Sequence, residues 1–183
     1  MPSKIPYLQS KVNSLFNSIT YRFGSTVVDP GDKQDWNEVC AVLLTHAHFD
    51  HIYGLNDVLS ANPMAKVYTN SVGREMLLNA KKNLSAYHEM PFVFKHPEAI
   101  IVVEDGQQIR CGEVLAEAIF TPGHNPSCIT WVVGDCVFSG DSLIPGIKTV
   151  TNLPKSDKAA AAASEELIRN LMSDRHLFPG HSV

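Results

Sequence analysis

Apolar residues in the first half of the chain recur either at every second position or at helical spacing. This pattern predicts strands that alternate with short helices. Residues 15–28 alternate or run apolar and predict a β-hairpin, which ends in the turn sequence at 29–32. The run 39–44 has the length and the β-branched content of a buried strand. Leu55, Val58 and Leu59 then follow at helical spacing. A short strand is predicted at 66–69, and a helix from Ser71 to about Lys81.

The second half is predicted to be rich in strands until a final helix. Residues 83–96 show no clear period, so they are either a candidate substrate loop or surface filler. Strands are predicted at 100–103, 108–111, 114–120, 129–133, 136–138 and 176–178. Between the last two of these, Ser156 or Asp157 can cap a helix whose apolar stripe includes Leu167 and Ile168, and the alanine run 159–163 favours that helix.

Metal-binding side chains are concentrated in residues 45–51, Thr-His-Ala-His-Phe-Asp-His, which we call the histidine-rich turn. It follows the predicted strand 39–44 directly. On an extended chain, residues two apart share a face, so His46 and His48 can converge on one ion. Asp50 and His51 can aim at a second point nearby. Imidazole and carboxylate groups bind zinc, iron or manganese, and three histidines and one aspartate within six positions predict a metal site.

Three later turns also follow predicted strands and carry metal-binding side chains, at His124, Asp141 and His181. Together with the histidine-rich turn they supply seven ligands, too many for one tetrahedral zinc ion and suited to two ions that share a carboxylate. Asp29 lies in the turn after the hairpin. If the strand 39–44 lies alongside the hairpin, Asp29 is either a turn residue or a group that orients one of the metal ligands.

This pattern resembles the metallo-β-lactamase superfamily of metal hydrolases, and within it the glyoxalase II-like branch. The resemblance implies an α/β fold, a four-layer αββα sandwich of two mixed sheets with outer helices and the metals at one edge. It also implies two divalent metal ions, zinc first, with iron or manganese as alternatives. The implied ligands are His46, His48 and His124 for one ion, Asp50, His51 and His181 for the other, and Asp141 as the bridge.

The chemistry expected of such a site is hydrolysis. Water bound by such cations loses its proton near pH ~7, so the site generates hydroxide without a serine or cysteine nucleophile. We therefore expect a binuclear metal-dependent hydrolase that attacks an ester, thioester or lactone carbonyl of a small molecule. Asp50 is expected both to bind a metal and to orient the nucleophile.

Two differences from well-known members of the superfamily narrow the range of activities that the resemblance implies. Asp141 stands where the best-known zinc β-lactamases place a cysteine, and no signal peptide is apparent, so antibiotic hydrolysis is disfavoured. Glyoxalase II enzymes hold glutathione with a helical C-terminal extension, whereas this chain stops at Val183, two residues after His181. The expectation is a single domain over residues 1–183 without that extension. Lys148, in the loop after Asp141, is the candidate substrate-binding lysine.

Three kinds of alternative remain at this point: another enzyme of the same superfamily, a serine esterase, and a module without enzymatic activity. A mono-iron persulfide dioxygenase of the same superfamily would use the equivalents of His46, His124 and Asp141, and a phosphodiesterase of the superfamily would use both metals. The tetrapeptide 140–143 spells the motif of GDSL serine esterases, which would make Ser142 a nucleophile. A metal-binding or partner-binding module without enzymatic activity is the third, disfavoured because no implied ligand is missing.

Composition sets the remaining expectations. A chain of 183 residues with 44% hydrophobic and 19% charged residues is typical of one globular domain. A net charge of -4, with no basic run longer than Lys81-Lys82, argues against a nucleic-acid partner. No segment approaches the ~20 apolar residues of a membrane helix, so a cytoplasmic location is expected. The four cysteines are predicted to be reduced core thiols.

Overall fold

The computed structural model describes residues 5, 7–89, 91–112 and 114–182, and in this part of the chain eleven strands form two mixed sheets. The strands are β1 (Gln9–Val12), β2 (Ile19–Phe23), β3 (Thr26–Val28), β4 (Ala41–Leu43), β5 (Lys66–Thr69), β6 (Ile100–Val102), β7 (Gln108–Cys111), β8 (Val114–Phe120), β9 (Ile129–Val133), β10 (Cys136–Gly140) and β11 (His176–Pro179). The helices are α1 (Leu55–Ala61), α2 (Ser71–Leu77) and α3 (Lys158–Leu171).

Strand direction in the two sheets brings several strand ends to one edge. The first sheet has the order β1-β2-β3-β4-β5-β6, antiparallel up to β3 and parallel from β3 onward. The second has the order β11-β10-β9-β8-β7, in which only β10 and β11 are parallel. Because β8 and β10 are both antiparallel to β9, the strands β8, β10 and β11 end at the same edge.

The main core lies between the two sheets, and helices cover their outer faces. Trp131 and Phe138 of the second sheet pack with Leu43 of the first, and the Trp131 indole donates a 2.8 Å hydrogen bond to the Leu44 carbonyl. A second cluster packs α1 and α2 on the outer face of the first sheet, and a third packs Ile168 of α3 on the second. The layers are therefore α, β, β and α, which confirms the expected fold class.

Most predicted elements are present, with differences that have local causes. The helix from Ser71 ends at Leu77 instead of about Lys81. The Asn79 side chain accepts hydrogen bonds from the Lys81 and Lys82 amides, and this local bonding competes with continued helix. Strand β1 was not predicted because its side chains are mostly exposed and it pairs only at the sheet edge, where no apolar alternation is required.

The prediction for the cysteines is wrong for one of the four. None of the four forms a disulfide in the described part of the chain, and Cys111, Cys128 and Cys136 are buried as predicted. Cys40 is exposed, because it lies just before β4, where the chain has not yet entered the sheet. No helix in the described part of the chain combines the length and the apolar content required to cross a bilayer.

The N-terminus of α3 provides a test of local stability. The Asp157 carboxylate accepts hydrogen bonds from the Ala159 and Ala160 amides at 2.8 and 3.0 Å, which confirms the predicted cap. We expect Asp157→Ala to lower the free energy of unfolding by about 1 kcal/mol, because two helix amides lose their acceptor. Denaturant unfolding measures this value. Asp157→Asn is the control, since its side-chain oxygen still caps, and an equal loss in both variants would contradict the capping role.

Candidate metal centre

The histidine-rich turn begins where β4 ends, and packing on both sides fixes its direction. The Leu44 amide donates to the Tyr68 carbonyl, and the Thr45 carbonyl accepts a 2.7 Å hydrogen bond from the Ile129 amide of the second sheet. Residues Phe49–His51 then form one turn of 3-10 helix. His46 and His51 have no exposed surface. The turn therefore points its side chains into the space between the two sheets at their common edge.

The first group of converging side chains consists of His46, His48 and His124, all buried. One ligand atom from each lies within 4.8 Å of the others. His48 Nδ1 is 3.0 Å from His124 Nε2, and the His46 ring is perpendicular to both neighbouring rings. Three imidazole nitrogens thus face one point.

The second group consists of Asp50, His51 and His181, again with ligand atoms within 4.8 Å. His51 Nε2 is 3.1 Å from His181 Nε2, and Asp50 Oδ2 is 3.4 and 3.3 Å from these two nitrogens. The side chains of Asp50 and His181 retain 14% and 15% exposure, so this group faces the opening of the site.

Asp141 lies between the two groups. Its Oδ1 is 3.4 Å from His51 Nε2 and 3.3 Å from His181 Nε2, and its Oδ2 is 3.6 Å from His124 Nε2. One carboxylate oxygen therefore faces each group. The structure brings together all seven residues that the sequence analysis named, and the role of each as a ligand stays a prediction.

The donor set fits divalent cations. His46 Nε2 is fully buried and has no hydrogen-bond partner among the described residues. Leaving a buried polar atom unpaired costs about 1–3 kcal/mol, so such an atom calls for a partner. A group of imidazole nitrogens beside carboxylate oxygens is the set that zinc, iron and manganese accept.

In three of the histidines, the ring nitrogen Nδ1 faces away from the site and has a hydrogen-bond partner there. His51 Nδ1 is 2.9 Å from Asp29 Oδ2, while His124 and His181 donate from Nδ1 to the carbonyls of Val150 at 2.9 Å and Phe16 at 2.8 Å. Because a carbonyl oxygen only accepts, these bonds fix the tautomer and leave Nε2 free to face the site.

Asp29 makes the contact that was predicted for it, because its carboxylate lies against the ring of His51, one of the candidate metal ligands. Asp29 also falls within ligand distance of His46 and His51. It is already engaged, however, by the amide and the hydroxyl of Thr45 and by His51 Nδ1. Its backbone has a φ of 49°, a left-handed conformation in which Asp and Asn are favoured over most residues.

We expect Asp29→Asn to weaken metal binding at the second group about 10–100-fold, the usual effect of losing an outer carboxylate. Asparagine tolerates the left-handed backbone and keeps the side-chain size, so the fold is expected to persist. Competition with a chromophoric chelator measures the affinity. Asp32→Asn is the matched control, since Asp32 bonds Ser14 and Tyr53 away from the ligands. Equal affinities in both variants would contradict the orienting role.

Burial controls the protonation of the first group. It lowers the pKa of His46 well below its ordinary value, and it lowers the pKa of His48 to about 3, with a further contribution from His124. Both rings are therefore neutral at pH 7, the form in which imidazole binds a metal.

The second group combines opposite charges. Burial opposes ionisation of Asp50 and Asp141, but the positive charge of His51 outweighs it and holds the pKa of both carboxyls well below the usual value. Burial likewise disfavours the charged imidazole, yet the two carboxylates raise the pKa of His51 well above its ordinary value. They also raise the pKa of His181 to about 10. The carboxylates are thus ionised and available to cations.

Sequence reasoning missed two residues next to the site. Asn125 Nδ2 is 3.0 Å from His48 Nε2, and its Oδ1 accepts from the Ser127 amide and hydroxyl, so the amide holds His48 with Nδ1 toward His124. Its position directly after His124 was a usable signal. Phe16, whose carbonyl orients His181, lies within the predicted hairpin and carried no signal at all.

Five of the seven residues line a cavity of ≈ 640 Å³, namely His48, Asp50, His124, Asp141 and His181, and the fully buried His46 and His51 pack against them. Tyr87 and His88 also line it, as expected of the candidate substrate loop. Lys148 is exposed and does not line this cavity, although its neighbour Ile147 does, so its contact with substrate stays a prediction.

The serine-esterase alternative does not fit the structure. Ser142 is buried, and its hydroxyl donates to the Thr121 carbonyl at 2.9 Å. A serine esterase of this type also needs an Asp-x-x-His sequence near the C-terminus. The chain has Asp174-Arg175-His176 there, which has the wrong spacing, and His176 is exposed on β11. Asp141 faces the histidines, so the tetrapeptide is part of the candidate metal centre.

A sequence profile described as the metallo-beta-lactamase superfamily matches residues 24–181, a span that contains all seven residues. The chain belongs to this superfamily. The resemblance found in the sequence is thereby confirmed, and homologues named as glyoxalase II enzymes are among the matches at modest identity.

Three curated relatives illustrate the range of named activities. The probable metallo-hydrolase YqgX of Bacillus subtilis is 36% identical over 58% of this chain and 50% of its own length. A hydroxyacylglutathione hydrolase of Hydrogenovibrio crunogenus is 28% identical over 66% of this chain and 40% of its own. Human persulfide dioxygenase ETHE1 is 28% identical over 75% of this chain and 46% of its own. The chain therefore spans about half the length of these relatives.

Solved structures agree with the fold. The B3 metallo-beta-lactamase BLEG-1 superposes with a TM-score of 0.84 and 23% identity, over 97% of this chain and 92% of that one. TTHA1623, solved in a di-iron-bound form, gives a TM-score of 0.79 and 25% identity over 96% and 92%. The superfamily fold thus extends over nearly the whole chain.

Proposed function

We propose that this protein is a binuclear metal-dependent hydrolase that attacks the carbonyl carbon of a small ester, thioester or lactone and cleaves its acyl C–O or C–S bond. The observation that carries the proposal is the convergence of seven imidazole and carboxylate side chains at the base of one cavity. The hydrolase names among the relatives support the class, and their greater length leaves the individual substrate to experiment.

Each ion has its own proposed ligands within this set. His46, His48 and His124 would hold one divalent cation, Asp50, His51 and His181 would hold the other, and Asp141 would be shared by both. When bound, two zinc ions supply Lewis acidity at the substrate oxygen and lower the pKa of a coordinated water. Iron or manganese at the same ligands is the alternative.

Asp50 is the proposed catalytic carboxylate. It lines the cavity, and a carboxylate beside divalent cations is ionised at pH 7, so its oxygens are hydrogen-bond acceptors. From this position it orients the attacking water by accepting its proton in a hydrogen bond. The buried Asp29 and Asn125 keep the imidazoles fixed while the reaction proceeds.

A second candidate is a mono-iron persulfide dioxygenase, which the similarity to human ETHE1 favours. Its ion would be held by His46, His124 and Asp141, of which His124 and Asp141 are already 3.6 Å apart. This candidate predicts oxidation of a persulfide with consumption of oxygen, whereas the hydrolase needs only water.

The two candidates are separated by assaying the protein loaded with zinc, manganese or iron(II) in turn. The hydrolase proposal expects turnover of one class in a panel of thioesters, esters, lactones and phosphodiesters, loss of turnover with a chelator, and recovery when metal returns. Phosphodiester turnover alone would assign the protein to the phosphodiesterases. Oxygen uptake that requires both iron and persulfide, without hydrolysis, would overturn the proposal in favour of the dioxygenase.

A further inference from the structure

We infer that the site accepts a substrate with an extended apolar acyl group, which packs between one aromatic and one aliphatic wall of the cavity. The inference rests on the proposed function and adds the chemical class of the acyl group. It arises from residues that none of the expected metal or catalytic roles uses.

The aromatic wall comes from two loops in the first half of the chain. Phe16 contacts the ring of His88 with centroids 5.6 Å apart, and His88 contacts Phe49 at 5.1 Å. Phe49 packs in turn on Phe92, which is buried in the core beside α1 and α2. Four rings thus form a continuous series of contacts that begins in the core and reaches the opening of the cavity.

The aliphatic wall comes from the loop that follows Asp141. Ile144, Ile147, Val150 and Leu153 all line the same cavity. The backbone of this loop is tied to the site, because the Val150 carbonyl accepts the hydrogen bond from His124 Nδ1. An acyl group whose carbonyl lies at Asp141 would therefore extend along these side chains.

Side chains in both walls are partly exposed to solvent, so a bound ligand can bury more of their apolar surface. Phe16 is 61% exposed and Tyr87 77%, while Ile147 is 41% and Val150 45% exposed. Single exposed apolar residues are common, but four around one opening form a patch of the kind that binds apolar ligands. No lysine or arginine is found among the described residues that line the cavity.

Phe16 is held in place by an unusual backbone conformation. Phe16 and Asn17 have left-handed φ values of 54° and 56°, a conformation that is unfavourable for a bulky aromatic residue. Two bonds maintain it, from His181 Nδ1 to the Phe16 carbonyl and from the Ser182 amide to the Asn17 carbonyl. The turn therefore places the Phe16 ring beside a metal-site histidine at a conformational cost, which fits a binding role.

The size of the cavity favours a long acyl group over a short polar one. A volume of ≈ 640 Å³ is within the range of small-molecule sites, about 300–1,000 Å³. A polar substituent far from the carbonyl would lie against the aliphatic wall, whose side chains offer no hydrogen-bond partner. We therefore expect the site to prefer an unsubstituted aliphatic or aromatic acyl group.

The test is a series of thioesters that share the neutral leaving group N-acetylcysteamine and differ only in the acyl group. From acetyl to hexanoyl, kcat/KM is expected to rise about tenfold or more, because each buried methylene contributes. Phe16→Ala is expected to reduce the hexanoyl-to-acetyl ratio about fivefold or more, and Ile147→Ala by a smaller factor.

Tyr7→Ala is the matched control, because Tyr7 is an aromatic residue that is 89% exposed and does not line the cavity. It should leave the ratio unchanged. Hydrolysis with a hexanoyl-to-acetyl ratio near one would overturn the inference and leave the proposed function standing.

Binding of inert thioether analogues to the metal-free protein separates the two claims further. Affinity that rises with chain length, with a negative heat-capacity change, would support the apolar walls even if no thioester, ester or lactone is cleaved. That combined result would overturn the proposed function alone. Affinity independent of chain length would overturn the inference.

Discussion

Replacing Asp141 by alanine is expected to lower kcat/KM for the hydrolysed substrate by about three orders of magnitude, because the site loses several kcal/mol of charge stabilisation. One oxygen of Asp141 faces His51 and His181, and the other faces His124. Without this carboxylate the two groups of ligands no longer share a bridging anion. Metal content is therefore expected to fall from two equivalents to one or fewer.

Asp174→Ala is the control for Asp141→Ala. Its side chain is 81% exposed, and it contacts Arg175 at 3.7 Å and the Ser173 hydroxyl at 3.3 Å, outside the site. Steady-state kinetics and elemental analysis of the same preparations give both readouts. A fully active Asp141→Ala protein that retains two equivalents of metal would exclude the bridging role.

Gly123→Ala is expected to lower the free energy of unfolding by about 3 kcal/mol or more. A Cβ atom at Gly123 would overlap the backbone of Ala161 in α3, which cannot move without displacing the helix. The φ of 139° adds strain for any L side chain. His124 follows directly, so the loss of packing is also expected to weaken metal binding at the first group. Denaturant unfolding of the metal-free and metal-loaded protein measures both effects.

Gly106→Ala separates backbone strain from overlap. Gly106 has a left-handed φ of 74°, and a Cβ atom there would meet nothing within 4 Å. Gly106→Ala is therefore expected to lower the free energy of unfolding through backbone strain alone, by about 1–2 kcal/mol. If both variants lose the same stability, the close approach of Gly123 to α3 does not determine the stability of this edge.

The site was predictable because its residues follow strand ends. A buried strand is recognised by its apolar run, and the next polar residue must leave the sheet at its edge. That reasoning placed His46, His124, Asp141 and His181 at strand ends, and the seven side chains lie together as expected. Asp29 was predictable in the same way, since β3 and β4 are neighbours that run parallel.

What the sequence did not predict depends on contacts between distant segments. The Phe16 carbonyl meets His181 from 165 residues away, and no local pattern reports this contact. Helix α2 ends early because of the Asn79 side chain, which competes locally with the helical bonds. Strand β1 and the exposed Cys40 lie at edges, where burial does not constrain residue type. The walls of the cavity were missed for the same reason, apart from the loop that carries Tyr87 and His88.

The measurement that tests the central claim most directly is metal stoichiometry by elemental mass spectrometry on the purified protein, repeated on Asp141→Ala and His46→Ala. We expect two equivalents of zinc, iron or manganese in the unaltered protein and a loss of metal in both variants. His46→Ala is included because its Nε2 is buried and unpartnered among the described residues. Protein that binds no divalent metal after loading, or that binds it equally in all three forms, would contradict the proposed binuclear metal centre.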